Sequence, residues 1–367
     1  MAPPPDTLGR MSMDREPIET RIAALVAEFA GAPGRREAPG CCQALVDAAA
    51  RQAVASSEGG KRLRALLALD AYGVFAGDVP SPARDAMLDL ACGIEVFQTA
   101  ALVHDDIIDD SDMRRGRPSA HRALATAAHD DAVGTGLGIM LGDVLATASV
   151  AIVDRAARGL PNRDALVGAF LGMHHEVEYG QMLDLAVETA GLDDPGHLAA
   201  ASLDVFRWKT ASYTTIAPLE LAMLAAGTHP GPARERALAV GHPLGVAFQL
   251  ADDLLDVIGS SRATGKPVGG DVREGKRTVL LADALREAGP DGRAELIAAY
   301  AAPERDAATV RRVIDLFAST GAIDRSRERI AGLWRQARQA IDALGLTPDA
   351  AAALADACSR FVPADLR

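Results

Sequence analysis

The chain has 367 residues, 49% of them hydrophobic, which is enough for a sizeable core and too many for wholesale disorder. Its 38 Lys and Arg against 50 Asp and Glu leave a net charge of −12, a poor basis for general binding of nucleic acid or anionic membranes. Aromatics at 4% disfavour base-stacking platforms and aromatic-rich β-sandwiches, and four cysteines without a CxxC pair make neither a disulfide scaffold nor a zinc pattern.

In chain order, residues 1–16 are Pro-rich and polar and read as a disordered leader, with no apolar run that could serve as a signal sequence. Residues 17–367 are expected to form a single all-α domain. Ala, Leu, Arg and Glu dominate, period-two alternation is scarce, and Gly and Pro punctuate the chain at intervals suited to helices. No stretch of about 18 uncharged apolar residues is read, so neither a membrane span nor stable membrane insertion is expected, and a cytoplasmic location is. GGKRLR at 59–64 opens a helix. Its glycines free the backbone, helix N-termini attract anions, and Lys61 and Arg64, three apart, are expected to share a face.

An acidic cluster followed by a basic loop then occurs twice. The first holds Asp105, Asp106 and Asp109, then Arg114, Arg115 and Arg117; the second holds Asp252, Asp253 and Asp256, then Lys266, Arg273, Lys276 and Arg277. Each cluster ends an apolar helical pattern. Residues four apart share a helix face, so Asp105 lies over Asp109 and Asp252 over Asp256, while Asp106 and Asp253 are rotated by about 100°. Like charges in such pairs, near the negative end of a helix, are doubly unfavourable. Two such placements imply a compensating cation, and carboxylates without His or Cys partners suit Mg²⁺. With the neighbouring Lys and Arg, they point to a bound polyanion, a diphosphate being the natural choice.

These motifs resemble the trans-isoprenyl diphosphate synthases, or polyprenyl synthetases. The match runs over roughly residues 18–345: GGKRLR, DDIID at 105–109, RRGRPSAH at 114–121, GD at 142–143, GQMLDL at 180–185, KT at 209–210, QLADDLLD at 249–256 and GKPVGGDVREGKRT at 265–278. The resemblance implies an all-α, isoprenoid-synthase-type helical bundle around a deep central cavity, usually a homodimer. It implies three Mg²⁺, with Asp105 and Asp109 holding two and Asp252, assisted by Asp256, holding the third. Lys61, Arg64, Gln98 and Arg115 would bind isopentenyl diphosphate; Arg114, Lys209 and Lys266 would contact the allylic diphosphate. Thr210, Gln181 and Gln249 would stabilise the carbocation, and Lys276 would close over the site. Position 98 is often His in bacterial relatives; Gln can still donate to phosphate. The chemistry so implied ionises an allylic C–O bond, shields the cation from water, and lets the C=C bond of isopentenyl diphosphate attack.

Product length should depend on the helix that carries Asp105. Ala101 and Ala100, about one turn below, are small; Phe97 lies about 12 Å below on the same face and is expected to help form the floor. The two-residue insertion of bacterial farnesyl-type relatives is absent. Geranylgeranyl diphosphate (C20) is therefore the expected product, with C25 or longer as the alternative. A class I terpene cyclase, a head-to-head condensing enzyme and a regulatory synthase subunit fit less well: DDLLD stands where a cyclase usually has an Asn/Ser/Glu pattern, GGKRLR is present, and both Asp motifs are intact.

Overall fold

A computed structural model describes residues 15–31, 38–77, 80–259 and 268–367. The leader expectation falls on residues outside these, except that Arg15 and Glu16 already belong to the first helix. Among the described residues the chain is all-α apart from one short hairpin: α1 (Arg15–Ala30), α2 (Gly40–Ser57), α3 (Leu63–Ala76), α4 (Ser81–Ile108), β1 (Met113–Arg114), β2 (Arg117–Pro118), α5 (Ala120–Ala128), α6 (Asp131–Ala157), α7 (Arg163–Glu188), α8 (Pro195–Val205), α9 (Ala217–Ala225), α10 (Pro230–Ile258), α11 (Gly270–Glu274), α12 (Val279–Glu287), α13 (Pro290–Ala301), α14 (Ala307–Ser319), α15 (Ala322–Asp342) and α16 (Pro348–Ser359). A π-helix, Phe206–Ile216, joins α8 to α9. Two compact units divide the chain, residues 1–171 with 218–233, and residues 172–217 with 234–367.

In the first unit α4 is the central element, packed most extensively on α6. Its buried residues run from Met87 through Leu90, Ile94, Phe97 and Ala100 to Val103, close to the three-and-four spacing of an inward helix face. Where α6 meets α5 and α4, it is cut back to glycine at four-residue intervals. A Cβ at Gly134 would lie 2.4 Å from Ala125 of α5, one at Gly138 2.8 Å from His121, and one at Gly142 2.2 Å from the ring of His104. The backbone of α6 thus makes contacts that side chains would prevent.

One ion network built on a buried arginine ties α1, α2, α3 and α4 together. Arg62, 2% exposed, precedes α3 in the left-handed conformation (φ 52°), which costs a non-glycine residue about 1–2 kcal/mol. Its guanidinium donates to Glu19 of α1 (2.9 and 2.6 Å), to Glu95 of α4 (3.4 Å) and to the Ser57 carbonyl at the end of α2. Glu95 also accepts the Ala65 N–H (3.1 Å) in the first turn of α3. Four helices therefore meet at one guanidinium.

Two helices, α4 and α6, are long and apolar enough to cross a membrane by length and composition, although charged residues, Asp89 and Glu95 in α4 and Asp143 in α6, interrupt their apolar runs. Their windows are rich in Ala and Gly and hold few charges. The α4 window is 67% buried, as befits a core helix, and the α6 window 44%.

The second unit is organised around the π-helix. A π-helix is wider than an α-helix, and its neighbours make room with glycine. A Cβ at Gly180 of α7 would lie 2.2 Å from the Lys209 nitrogen, one at Gly241 of α10 2.8 Å from Ile216, and one at Gly245 2.5 Å from Ala211. Thr215 Oγ1 donates to the Gly241 carbonyl at 2.6 Å. Pro243, which has no N–H of its own, sits inside α10, and the helix continues through it. Beyond this layer, α8 packs on α12, and α12 on α15.

Arg62→Leu is expected to lower unfolding free energy by about 3–5 kcal/mol, because it strands the buried Glu95 carboxylate. Urea denaturation of the two proteins measures it; a loss below about 1 kcal/mol would show that the network is not what joins these helices.

Candidate active site

In the first unit, α4 ends at Ile108 and Asp109 caps it, its N–H donating to the Asp105 carbonyl at 2.8 Å. The two carboxylates thus stay one turn apart, Asp105 half-buried and Asp109 exposed. Asp106, rotated away, is 2% exposed and accepts from Arg114 Nε at 2.9 Å and from Nη2. Arg114 belongs to the hairpin, which the helical reading of the sequence did not anticipate. Its two turn residues, Arg115 (φ 54°) and Gly116 (φ 76°), both have positive φ, as the tightest primed hairpin turns require. Arg115 Nη1 then donates to the carbonyls of Glu58 (2.7 Å) and Gly59 (3.0 Å), and Arg117 pairs with Glu58 at 2.7 Å.

The hairpin therefore lies against the Gly59–Gly60 turn, whose φ values of 74° and 101° only glycine adopts freely. A cavity of about 540 Å³ opens beside it, with Gly59, Gly60 and Arg115 on its polar side and Leu102 and Val103 of α4 on its apolar side. Lys61 is exposed and Arg64 buried. The helix begins only at Leu63, so Lys61 precedes it and the helical spacing expected to align Lys61 with Arg64 does not operate. Gln98 is half-buried, two turns before Asp105. Below it Phe97 and Ala100 are buried and Ala101 half-buried; Phe97 meets Phe170 edge-on, with ring centroids 6.3 Å apart. The GD pair at 142–143 serves His104, the residue before Asp105. Gly142 makes room for its ring, and Nε2 lies 3.4 Å from Asp143 Oδ1.

In the second unit, the π-helix carries Lys209 and Thr210. Lys209 Nζ donates to Asp184 of α7 at 2.5 Å, three residues beyond the half-buried Gln181. Thr210 Oγ1 donates to Gln249 Oε1 at 2.9 Å, and Gln249 Nε2 donates to Asp253 Oδ1 at 2.8 Å. Asp253 is 5% exposed, and burial holds its carboxyl well above the usual range. Asp252, beside it, is exposed. Asp256 has both oxygens engaged, accepting the N–H groups of Gly270 (3.1 Å) and Asp271 (3.0 Å) at the start of α11. Lys276 lies just past α11, 2.9 Å from Glu274 and 3.7 Å from Asp271, whose carboxyl burial pushes up to about 6. Lys266 lies outside the described residues.

Each unit thus presents an outward carboxylate whose neighbour is buried and bonded, with basic groups close by. Such a set can hold a diphosphate through hard metal ions and guanidinium or ammonium donors.

The Polyprenyl synthetase family model matches residues 44–317. The chain belongs to the polyprenyl synthetase family. It is 33% identical over 276 residues to geranylfarnesyl diphosphate synthase of Aeropyrum pernix, covering 74% of this chain and 79% of that one. Nonaprenyl diphosphate synthase of Mycobacterium tuberculosis is 33% identical over 293 residues, covering 79% and 78%. Among solved structures, geranylgeranyl pyrophosphate synthase from Corynebacterium glutamicum, complexed with isoprenyl diphosphate and magnesium, superposes with a TM-score of 0.80 at 30% identity, covering 95% of this chain and 99% of that one. This polyprenyl synthetase has the all-α isoprenoid synthase fold and is a prenyltransferase that makes trans-prenyl diphosphates.

Sequence reasoning missed the residues that act on others: Glu19, Arg62, Glu95, Phe170 and Asp184. Only Asp184 left a usable sign, since it stands at i+3 from Gln181. Arg62 was hidden between Lys61 and Arg64.

Gly180→Ala is expected to lower turnover at least about tenfold, by pushing the backbone of Lys209. Gly172→Ala, on the same helix with nothing within 4 Å, is the control and should be silent or slightly stabilising. Steady-state kinetics of both variants decide it; equal behaviour would disconnect the glycine contact from Lys209.

Proposed function

We propose that this enzyme condenses isopentenyl diphosphate with an allylic diphosphate to give geranylgeranyl diphosphate, C20, with C25 or longer products as the alternative. The observation that carries the reaction is the first unit's pairing of two arrangements: the outward carboxylates of Asp105 and Asp109, and the Arg115 hairpin laid against the Gly59–Gly60 turn. One suits a metal-bound allylic diphosphate and the other a second, separate diphosphate.

The donor set fits Mg²⁺, since Asp105, Asp109 and Asp252 offer hard carboxylate oxygens at or near the surface. The magnesium named with the Corynebacterium structure supports the same choice, and three ions per site are proposed. When bound, Mg²⁺ neutralises charge growing on the leaving diphosphate. Asp256, engaged by backbone, is given an assisting role in orienting the segment after Asp252. Lys61, Arg64, Gln98 and Arg115 are assigned to isopentenyl diphosphate, Arg114, Lys209 and Lys266 to the allylic diphosphate, and Lys276 is assigned to bind diphosphate by closing over the site. Asp106 holds Arg114 in its hairpin, and Asp184 anchors the Lys209 ammonium. Thr210 and Gln249, already hydrogen-bonded, and Gln181 present oxygen dipoles to the carbocation.

The C20 product is supported by the small Ala100 and Ala101 below Asp105 and by the Phe97–Phe170 pair beneath them. The named products of the relatives range widely in length, so this choice rests on those side chains. A homodimer is supported by α6, where Val133, Ile139, Met140 and Val144 expose apolar surface on a helix long enough to seat a second copy. We place the enzyme in the cytoplasm.

Incubation with isopentenyl diphosphate, an allylic primer and Mg²⁺, followed by chromatography of the extracted lipid, is expected to yield C20. Asp105→Ala and Asp252→Ala should each lower turnover at least about 100-fold with little loss of stability. Release of diphosphate without chain growth would turn the assignment toward a cyclase. In the same extraction Phe97→Ala should lengthen the product; an unchanged length would remove Phe97 from the floor. Met140→Glu should shift the wild-type dimer toward monomer in sedimentation, and a monomeric wild type would end that part of the proposal.

A further inference from the structure

The backbone leading to Lys276 is held from both ends by groups outside it. At the front, Asp256 accepts the first N–H groups of α11, as described above. At the back stands Arg305, nearly thirty residues beyond the last recognised motif. Its Nε donates to the Val272 carbonyl at 2.8 Å and its Nη2 to the Glu274 carbonyl at 3.2 Å, both at the end of α11. Its Nη1 donates to the Ala302 carbonyl at 2.6 Å, just past the end of α13. One guanidinium thus closes two helix C-termini, whose last carbonyls lack intrahelical partners and carry partial negative charge.

The fit is tight. Gly275 turns away from α11 at φ 85°, so close to the guanidinium that a Cβ there would lie 2.0 Å from Arg305 Nη2. The ring of the buried Tyr300 lies 5.8 Å from the guanidinium carbon. The N–H of Lys276 then donates back to the Asp271 carbonyl at 2.9 Å, inside the turn that Arg305 clasps. A lysine could not replace this group, because a single ammonium cannot span three carbonyls in the planar fork that guanidinium offers.

We infer that Arg305 is a positioning residue for Lys276, fixing the turn from which that ammonium reaches the diphosphate. This rests on the reading of Lys276 as a diphosphate contact. A guanidinium serving stability alone would leave substrate affinity untouched, and one acting through Lys276 would not.

A double-mutant cycle on the full chain separates the two. Wild type, Lys276→Ala, Arg305→Leu and the double variant are assayed with isopentenyl diphosphate, an allylic diphosphate and Mg²⁺. Lys276→Ala and Arg305→Leu are each expected to raise KM for the allylic diphosphate about tenfold, and the double variant no more than about twofold beyond either. Arg305→Lys, which keeps the charge and serves if the leucine variant does not fold, should raise KM about threefold alone and not at all in the Lys276→Ala background. The inference falls if Arg305 substitutions multiply KM by the same factor with and without Lys276, or if they lower only the melting temperature. If Lys276→Ala alone leaves KM unchanged, the reading of Lys276 falls, and the inference goes with it.

Discussion

The site depends on what becomes of the second carboxylate in each Asp-Asp pair. Two adjacent aspartates on a helix cannot face the same way. In both motifs the first is the more exposed and the second is buried, and a buried carboxylate must find hydrogen bonds. Asp106 finds Arg114, which fastens the basic hairpin to the end of α4. Asp253 finds Gln249, which holds Thr210 of the π-helix in turn. The same dipeptide therefore does two things at once. It leaves one carboxylate accessible and, through its buried neighbour, fixes the position of Arg114 in one case and of Gln249 and Thr210 in the other.

A second constraint is close approach of backbones. The π-helix brings Lys209 and Thr210 forward in succession, and its width is tolerated because Gly180, Gly241 and Gly245 remove side chains where neighbours touch it. The glycines of α6 act likewise toward His104 and α5. In both units helices are held near one another by absent side chains as much as by apolar ones, which agrees with a chain so low in aromatics.

The helical class and the motif positions were legible in the sequence, because helical period and residue chemistry are local properties. Less legible were features set by distant partners. The Arg114–Arg117 hairpin looked like loop because its signature is only a positive-φ pair of residues. Arg62 passed for one more cation in a basic run, although its ligands lie 43 and 33 residues away. The two backbone N–H groups of α11 that Asp256 accepts come from residues 14 and 15 positions further on, which no local pattern announces.

Arg62 and Arg115 both sit in the left-handed region, where glycine would rest without penalty. An arginine kept in such a place is evidence that its side chain returns more than its backbone forfeits. For Arg62 the return is cohesion, so selection for a sturdier protein would retain it. For Arg115 the return is attachment, since its guanidinium donates to the Glu58 and Gly59 carbonyls and so ties the hairpin to the glycine turn. Glycine at either place would rest the backbone and release what the side chain holds.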